Sequence, residues 1–366
     1  MFKYFLLLLF FKISFEKPNV YFTREISPSS MVKMFKVLNA NLTGNIGLKV
    51  HSGELFGKYF LTPDFLQEIY DYINGTFLEC NTAYKSGVRH TTATHKILLK
   101  DHGWLNNSRR FVLMDEDPSQ DFNLTVLNHK MIPENIVGGH LREFNSCIVL
   151  SHFKGHGTGG YGGALKQLSI GFASQRGKTF IHTAGKFTNY TVMSENKANQ
   201  INFTAAMGDA ASTIVDYFNE RGGIAFINVL ANISILCDCA GGIAPVPKIH
   251  DIGILSSTDP VAIDRACLDL IKKHTDVGTE EWLNQVNILR GENTLYVAEK
   301  HGIGSQEYNL IDVDELTNED GKSYTALIII ICVIIILILL AVIIGIKLYR
   351  KKNSEDIDEP LNDKTE

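Results

Sequence analysis

The chain has 366 residues, enough for one or two domains with a sizeable core. Its net charge of −5 excludes the basic surface on which nucleic-acid binders depend. With 20% charged and 45% hydrophobic residues it is neither disordered nor fibrous. The apolar residues, however, are concentrated at the two ends.

Lys3 is followed by eight large apolar residues, Tyr4 to Phe11. A cation before a short apolar run is the pattern of a secretory signal peptide, assigned here to residues 1–16. The run is too short to span a bilayer as a helix. Residues 17–324 then alternate strand-like and helix-like segments. Asn19–Thr23 is expected as a strand, and Ser29 or Ser30 as the cap of a helix over Met31–Leu38. Ile46–His51 reads as a strand. Thr62-Pro63 opens a helix over Asp64–Ile73, with apolar residues at helical spacing. Thr76–Cys80 is a strand, Thr91–Asp101 a helix and Arg110–Met114 a strand. Cys147–Phe153 is a continuous apolar run, as in a sheet covered on both faces. Asn202–Asn219 reads as a helix and Ile224–Ile235 as a strand. Asp251–Ser256 is a further strand. Asp259 is expected to cap a helix over Val261–Lys273, with Pro260 at its first position. Thr294–His301 is helical and Tyr308–Val313 a strand. This alternation predicts an α/β fold with a largely parallel or mixed sheet flanked by helices.

Ala326 to Ile346 is 21 residues without a charge or a proline, about 30 Å as a helix. It is expected to cross a membrane once, within residues 325–347. Lys347, Arg350, Lys351 and Lys352 follow and belong on the cytosolic side, leaving 348–366 as a cytosolic tail. The expected topology puts residues 17–324 outside the cell or in a lumen. Sequons at Asn41, Asn74, Asn106, Asn123, Asn189 and Asn202 agree with it. A seventh, at Asn232, lies inside the strand pattern and is a poorer acceptor.

Three stretches carry candidate chemistry. In Ser151–Lys178, His152, Lys154 and His156 precede five glycines between Gly157 and Gly163 and a helix bearing Lys166. A glycine-rich turn between a buried strand and a helix exposes N–H groups that bind phosphate or carboxylate. His152, Lys154, His156, Gly159, Gly160, Gly162, Gly163 and Lys166 are therefore candidate ligand-binding residues. Glycine is dense enough here for the G-x-G-x-x-G match to be coincidental, and a tight packed loop is the structural alternative. In Cys237-Asp238-Cys239, two thiols flank an acid at a strand end, where α/β folds place sites. Cys237, Cys239 and Asp238 could ligate a metal ion, with His152, His156, His182 or Asp residues completing the set. Free buried thiols, or a disulfide with Cys80, Cys147 or Cys267, are the alternatives. Asp264, one turn into its helix, is placed to face the same crevice. Tyr84, Lys85, Arg89 and His90 follow another strand.

These stretches resemble the Fe–S centre branch of the domain of unknown function 362 family. The likeness is carried by SHFKGH with GGYGGALKQLSIGFASQRGK, by CDC with DIGILSSTDPVAIDRACLDL, and by LYVAEKHGIGSQEYNLI. It runs from about Val20 to Ile311. The family's biochemical activity is not established. The Cys-x2-Cys-x2-Cys insert of that branch is replaced here by a cysteine-free stretch after Lys178, so no ferredoxin-type 4Fe-4S cluster is expected. The branch's Asp-Thr-Asn pattern reads Cys80-Asn81-Thr82. A fainter likeness to lactate-racemase-like proteins implies a site for an anionic small molecule or a nickel-type cofactor. The expected function is binding of a small anion or metal by a membrane-anchored domain. The alternative is a non-catalytic surface glycoprotein that kept the fold and lost the redox role.

Overall fold

The computed structural model describes residues 16–106 and 109–316, with helical positions 334–335, 337–338, 342 and 344–347. One unit ends at Asp312 and a second begins at Val313. The signal segment, the sequon partners of Asn106, the cytosolic tail and most of the apolar run 326–346 lie outside the described residues. Among the described residues no helix is long and apolar enough to cross a membrane.

The first unit contains strands β1 (Asn19–Thr23), β2 (Ile46–Lys49), β3 (Thr76–Glu79), β4 (Phe111–Leu113), β5 (Phe122–Thr125), β6 (Glu134–Val137), β7 (Ser146–His152), β8 (Lys154–His156), β9 (Gly160–Gly162), β10 (Ile224–Leu230), β11 (Gly253–Ser257) and β12 (Asn309–Asp312). Its helices are α1 (Pro28–Val37), α2 (Gln67–Ile73), α3 (Thr92–Asp101), α4 (Ala164–Lys166), α5 (Gln175–His182), α6 (Gln200–Asn219), α7 (Pro260–Lys272), α8 (Thr279–Ile288) and α9 (Glu292–Lys300). Eight strands form one mixed sheet in the order β12-β1-β11-β10-β7-β2-β3-β4. Only β11 runs against its neighbours. Every residue of β7 and β10 is buried, as expected where helices cover both faces.

The order of these strands positions the site. From β2 the chain builds outward through β3 and β4, then returns to lay β7 on the other side of β2 and continues to β10. The direction of winding reverses between β2 and β7, and a crevice opens beyond the carboxyl ends of strands at such a point.

Local chemistry explains where elements begin and end. Asp259 caps α7, its carboxylate accepting from Val261 and Ala262 N–H at 2.9 and 2.8 Å. The cap of α1 is Ser27, not Ser29 or Ser30. Its Oγ accepts from Ser30 N–H at 3.1 Å, and Pro28 occupies the first turn, where no N–H is needed. The strand expected to reach Ile235 stops at Leu230. Asn232 turns the chain at φ 50°, its N–H held by Asp251 at 2.7 Å, and its side chain is exposed. That sequon therefore lies on a turn and not in a strand.

Candidate functional site

The glycine-rich segment is neither an open loop nor a phosphate cradle. Lys154–His156 and Gly160–Gly162 pair as a hairpin. Gly160 turns it at φ 83°, and a Cβ there would lie 2.9 Å from Gly291 Cα. A Cβ on Gly163 would lie 2.5 Å from Asp264 Oδ1. That contact shows what fills the helix N-terminus. Asp264 accepts from the Ala164 and Leu165 N–H groups at 2.8 and 3.0 Å, and from Asn228 Nδ2 at 2.8 Å. The N–H groups expected to meet an external anion are taken by the chain's own carboxylate, so Asp264 is a cap and does not face the crevice. Burial pushes its carboxyl up to about 6, against the pull of those donors.

The crevice is real and lies beside the hairpin. It is a cavity of about 450 Å³ beyond the ends of β2, β3, β7 and β10. His51, Thr82, Arg89, Lys154, His156, Lys166, Lys178, His182, Lys197, Cys237 and Cys239 are among its lining residues. Of the expected ligand-binding residues, His152, Lys154, His156, Gly162, Gly163 and Lys166 line it, whereas Gly159 and Gly160 lie outside it. Gly162 has a specific use: a Cβ there would lie 3.6 Å from Lys154 Cε and 3.7 Å from Lys166 Cδ. The bare backbone gives both lysine stems their room.

The charge of this cavity is uneven. Arg89, Lys154, Lys166, Lys178 and Lys197 line it, against one carboxylate among the described residues, Glu79. Most of these cations are already partnered. Arg89 binds Glu54 at 3.3 Å and lies 3.6 Å from Glu79. Glu79 also meets Lys49 at 3.2 Å and the Ser52 N–H at 2.8 Å. Lys178 donates to the Ala173 carbonyl at 2.6 Å. Lys154 binds Asp238 at 2.8 Å. Lys166 is half-buried, and its ammonium has no hydrogen-bond or ion-pair partner among the described residues. Burial, with Lys154 and Arg89 close by, lowers Lys166 to about 7. The Thr82 hydroxyl is likewise buried in this wall without a partner.

Burial, aided by these cations, lowers the imidazoles of His51, His156 and His182. Burial and Arg89 lower His51 well below its usual value, and burial and Lys166 do the same to His156. His182, stacked on Phe203 at 4.5 Å, falls to about 3 through burial and Lys166. His152 is held at both ring nitrogens. Its Nε2 donates to the Ala231 carbonyl at 2.7 Å and its Nδ1 to Asp238 at 2.9 Å. Burial would raise Asp238, but His152 and Lys154 hold it well below the usual carboxylate range.

Asp238 tethers its loop to β7 and β8 through these two bonds. His156, Cys237 and Cys239 could hold a metal ion, their ligand atoms lying within 4.8 Å of one another. The two cysteines are joined to each other as a disulfide, not to Cys80, Cys147 or Cys267, which are free and buried. His51, Glu79, Lys178 and Lys197 were not singled out from the sequence. For His51 the only signal was its position at the carboxyl end of an apolar strand. Of Tyr84, Lys85, Arg89 and His90, Tyr84 and Arg89 reach the cavity, Lys85 lies over the Tyr190 ring, and His90 bonds to the Gly87 carbonyl.

Residues 46–269 match the profile of a family described as a domain of unknown function (DUF362). No curated protein matches the chain. Among solved structures it is similar to a protein from Thermotoga maritima, with 14% identity and a TM-score of 0.40. That match covers 75% of this chain and 58% of the other. It is also similar to the lactate racemase apoprotein from Thermoanaerobacterium thermosaccharolyticum, with 12% identity and a TM-score of 0.39. There the shares are 66% and 54%. The chain thus spans less than two thirds of either protein.

Proposed function

The chain belongs to the domain of unknown function 362 family, and on that footing we propose that its cavity binds a small anionic molecule through a carboxylate, phosphate or sulfate group. The observation that carries this reading is Lys166. A half-buried ammonium with no counter-charge is costly, and the cost is relieved when an anion enters. Thr82 offers a hydroxyl, and His51, His156 and His182 offer neutral imidazoles that can bond a ligand without adding charge. The glycine backbone contributes room for the lysines rather than N–H donors. The test is thermal unfolding of the full-length protein against sulfate, phosphate and simple mono- and dicarboxylates, with native mass spectrometry for retained molecules. A true ligand at a hundred times its dissociation constant stabilises by about 2.7 kcal/mol. Absence of any anion-specific shift, with no retained molecule, refutes the reading.

We further propose that the domain is displayed on the non-cytosolic face of a membrane. The Tyr4–Phe11 and Ala326–Ile346 runs and the basic residues after Ile346 support this. The exposed side chains of Asn41, Asn74, Asn106, Asn123 and Asn189 support it too, while Asn202 is partly covered.

A further inference from the structure

The Cys237-Asp238-Cys239 segment has an arrangement that anion binding does not use. Its two sulfurs form a disulfide, both lining the cavity, with Cys239 the more exposed. The other described cysteines are buried, and burial raises the thiols of Cys80, Cys147 and Cys267. Asp238 is bound to His152 and Lys154, so the loop keeps its place whether or not its sulfurs are joined.

His156 completes the arrangement. Its Nδ1 accepts the Gly159 N–H at 2.9 Å and the Thr158 N–H at 3.2 Å. In a neutral ring the proton then sits on Nε2, which lies 3.8 Å from Cys239 Sγ. A metal-binding histidine usually shows the reverse pattern, donating from its far nitrogen. A fixed N–H aimed at a sulfur, in a cation-lined cavity, is the setting that stabilises a thiolate.

We propose that Cys237 and Cys239 are a reversible thiol–disulfide pair, with Cys239 the sulfur that meets an external dithiol and His156 the donor that stabilises its thiolate. A thiolate of the dithiol attacks Cys239 Sγ. The Cys237–Cys239 bond breaks, its electron pair leaves on Cys237, and that sulfur takes up a proton from solvent. The dithiol's second thiolate then attacks its own sulfur in the mixed disulfide and releases Cys239 as a thiolate facing the Nε2–H. Two electrons pass to the protein, and the dithiol ends as a disulfide. Its two thiol protons go to solvent, which returns one to Cys237. His156 donates a hydrogen bond throughout and gives up no proton.

The test uses the folded full-length protein in graded mixtures of reduced and oxidised dithiothreitol, trapped with iodoacetamide and mapped by peptide mass. Cys237 and Cys239 should be labelled together, at least roughly tenfold faster than Cys80, Cys147 and Cys267, and should be protected again on reoxidation. Near-ultraviolet circular dichroism should not change. In Cys237→Ser, which leaves Cys239 as a free thiol, adding His156→Leu should slow labelling of Cys239 roughly tenfold. Labelling only in denaturant overturns the proposal. So does stoichiometric zinc uptake by the reduced protein with loss of labelling, which would make the group a metal site. Equal labelling rates with and without His156 remove its role. Anion binding can fail while the pair still cycles, so the two readings are judged separately.

Discussion

The sharpest consequence of an uncompensated Lys166 is a pH profile. Burial and the charges of Lys154 and Arg89 lower Lys166 to about 7, so near neutral pH the empty cavity holds this ammonium only half-charged. An anion binds the charged form, raises its pKa and draws in a proton. The apparent dissociation constant then scales as one plus the ratio of neutral to charged lysine. It rises about tenfold from about pH 6 to about pH 8, or about 1.4 kcal/mol. Above that it continues at about tenfold per pH unit until the pKa of the complex is reached. Calorimetric titration with sulfate suits this test, because its charge does not change in that range. Buffers of different ionisation enthalpy should report uptake of about half a proton per sulfate near pH 7. In Lys166→Met the profile should flatten and the affinity fall. A dissociation constant that does not change over this range in the wild type, with no proton uptake, refutes the argument.

Lys166→Met should also raise the melting temperature of the ligand-free protein, because it removes a charge that no described carboxylate balances; a lower value would mean the ammonium is satisfied. Asp238→Ala leaves Lys154 buried without its counter-charge and His152 Nδ1 without its partner, and chemical denaturation should show a loss of about 3 to 5 kcal/mol. Because the folded Asp238 carboxyl is held well below the ordinary Asp value of about 3.9, the stability it gives is present above that pH. It is lost as pH falls through the folded value, so Asp238→Ala should approach wild type in strong acid. Asp264→Asn turns an amide donor toward the N–H groups of α4, and urea unfolding should report a loss of about 1 to 3 kcal/mol. In a secretory host, endoglycosidase should lower the protein's mass, with Asn232 among the occupied sites because its turn is exposed; an unchanged mass refutes the export proposal.

What could be read from the sequence was whatever local chemistry decides. The apolar runs of β7 and β10 gave the centre of the sheet, and Asp259-Pro260 gave the start of α7 to the residue. The β5–β6 pair was missed because it is a two-stranded ribbon outside the main sheet, with half of β5 exposed, and it leaves no continuous apolar run. The glycine-rich segment is ambiguous in sequence for a different reason. Its composition fits both an anion cradle and a close-packed hairpin, and the deciding contact is Asp264, about 100 positions away in the chain. His51, Glu79 and Lys178 are single residues on separate elements, and only the sheet order brings them to one cavity.

The chain as a whole is acidic, yet its cavity is basic, and the partners of the carboxylates explain how both hold. Each acid near the cavity is committed elsewhere. Glu79 is shared among Lys49, Arg89 and the Ser52 N–H. Asp238 is held by His152 and Lys154, and Asp264 closes the start of α4. Asp115 takes the N–H groups of Asn81 and Gln175. A carboxylate whose lone pairs already serve a helix start or two nearby donors has little left to offer a further lysine. Lys166 is left over from this distribution. The same distribution adds to burial in lowering the His156 imidazole, and once the disulfide is reduced it would favour a thiolate on the sulfur facing His156. Anion affinity and thiolate stability thus share one electrostatic cause, so a bound sulfate should compete with the Cys239 thiolate for the same positive field. Reduction of the disulfide should accordingly weaken sulfate binding in the wild type, and Cys239→Ser should remove that dependence.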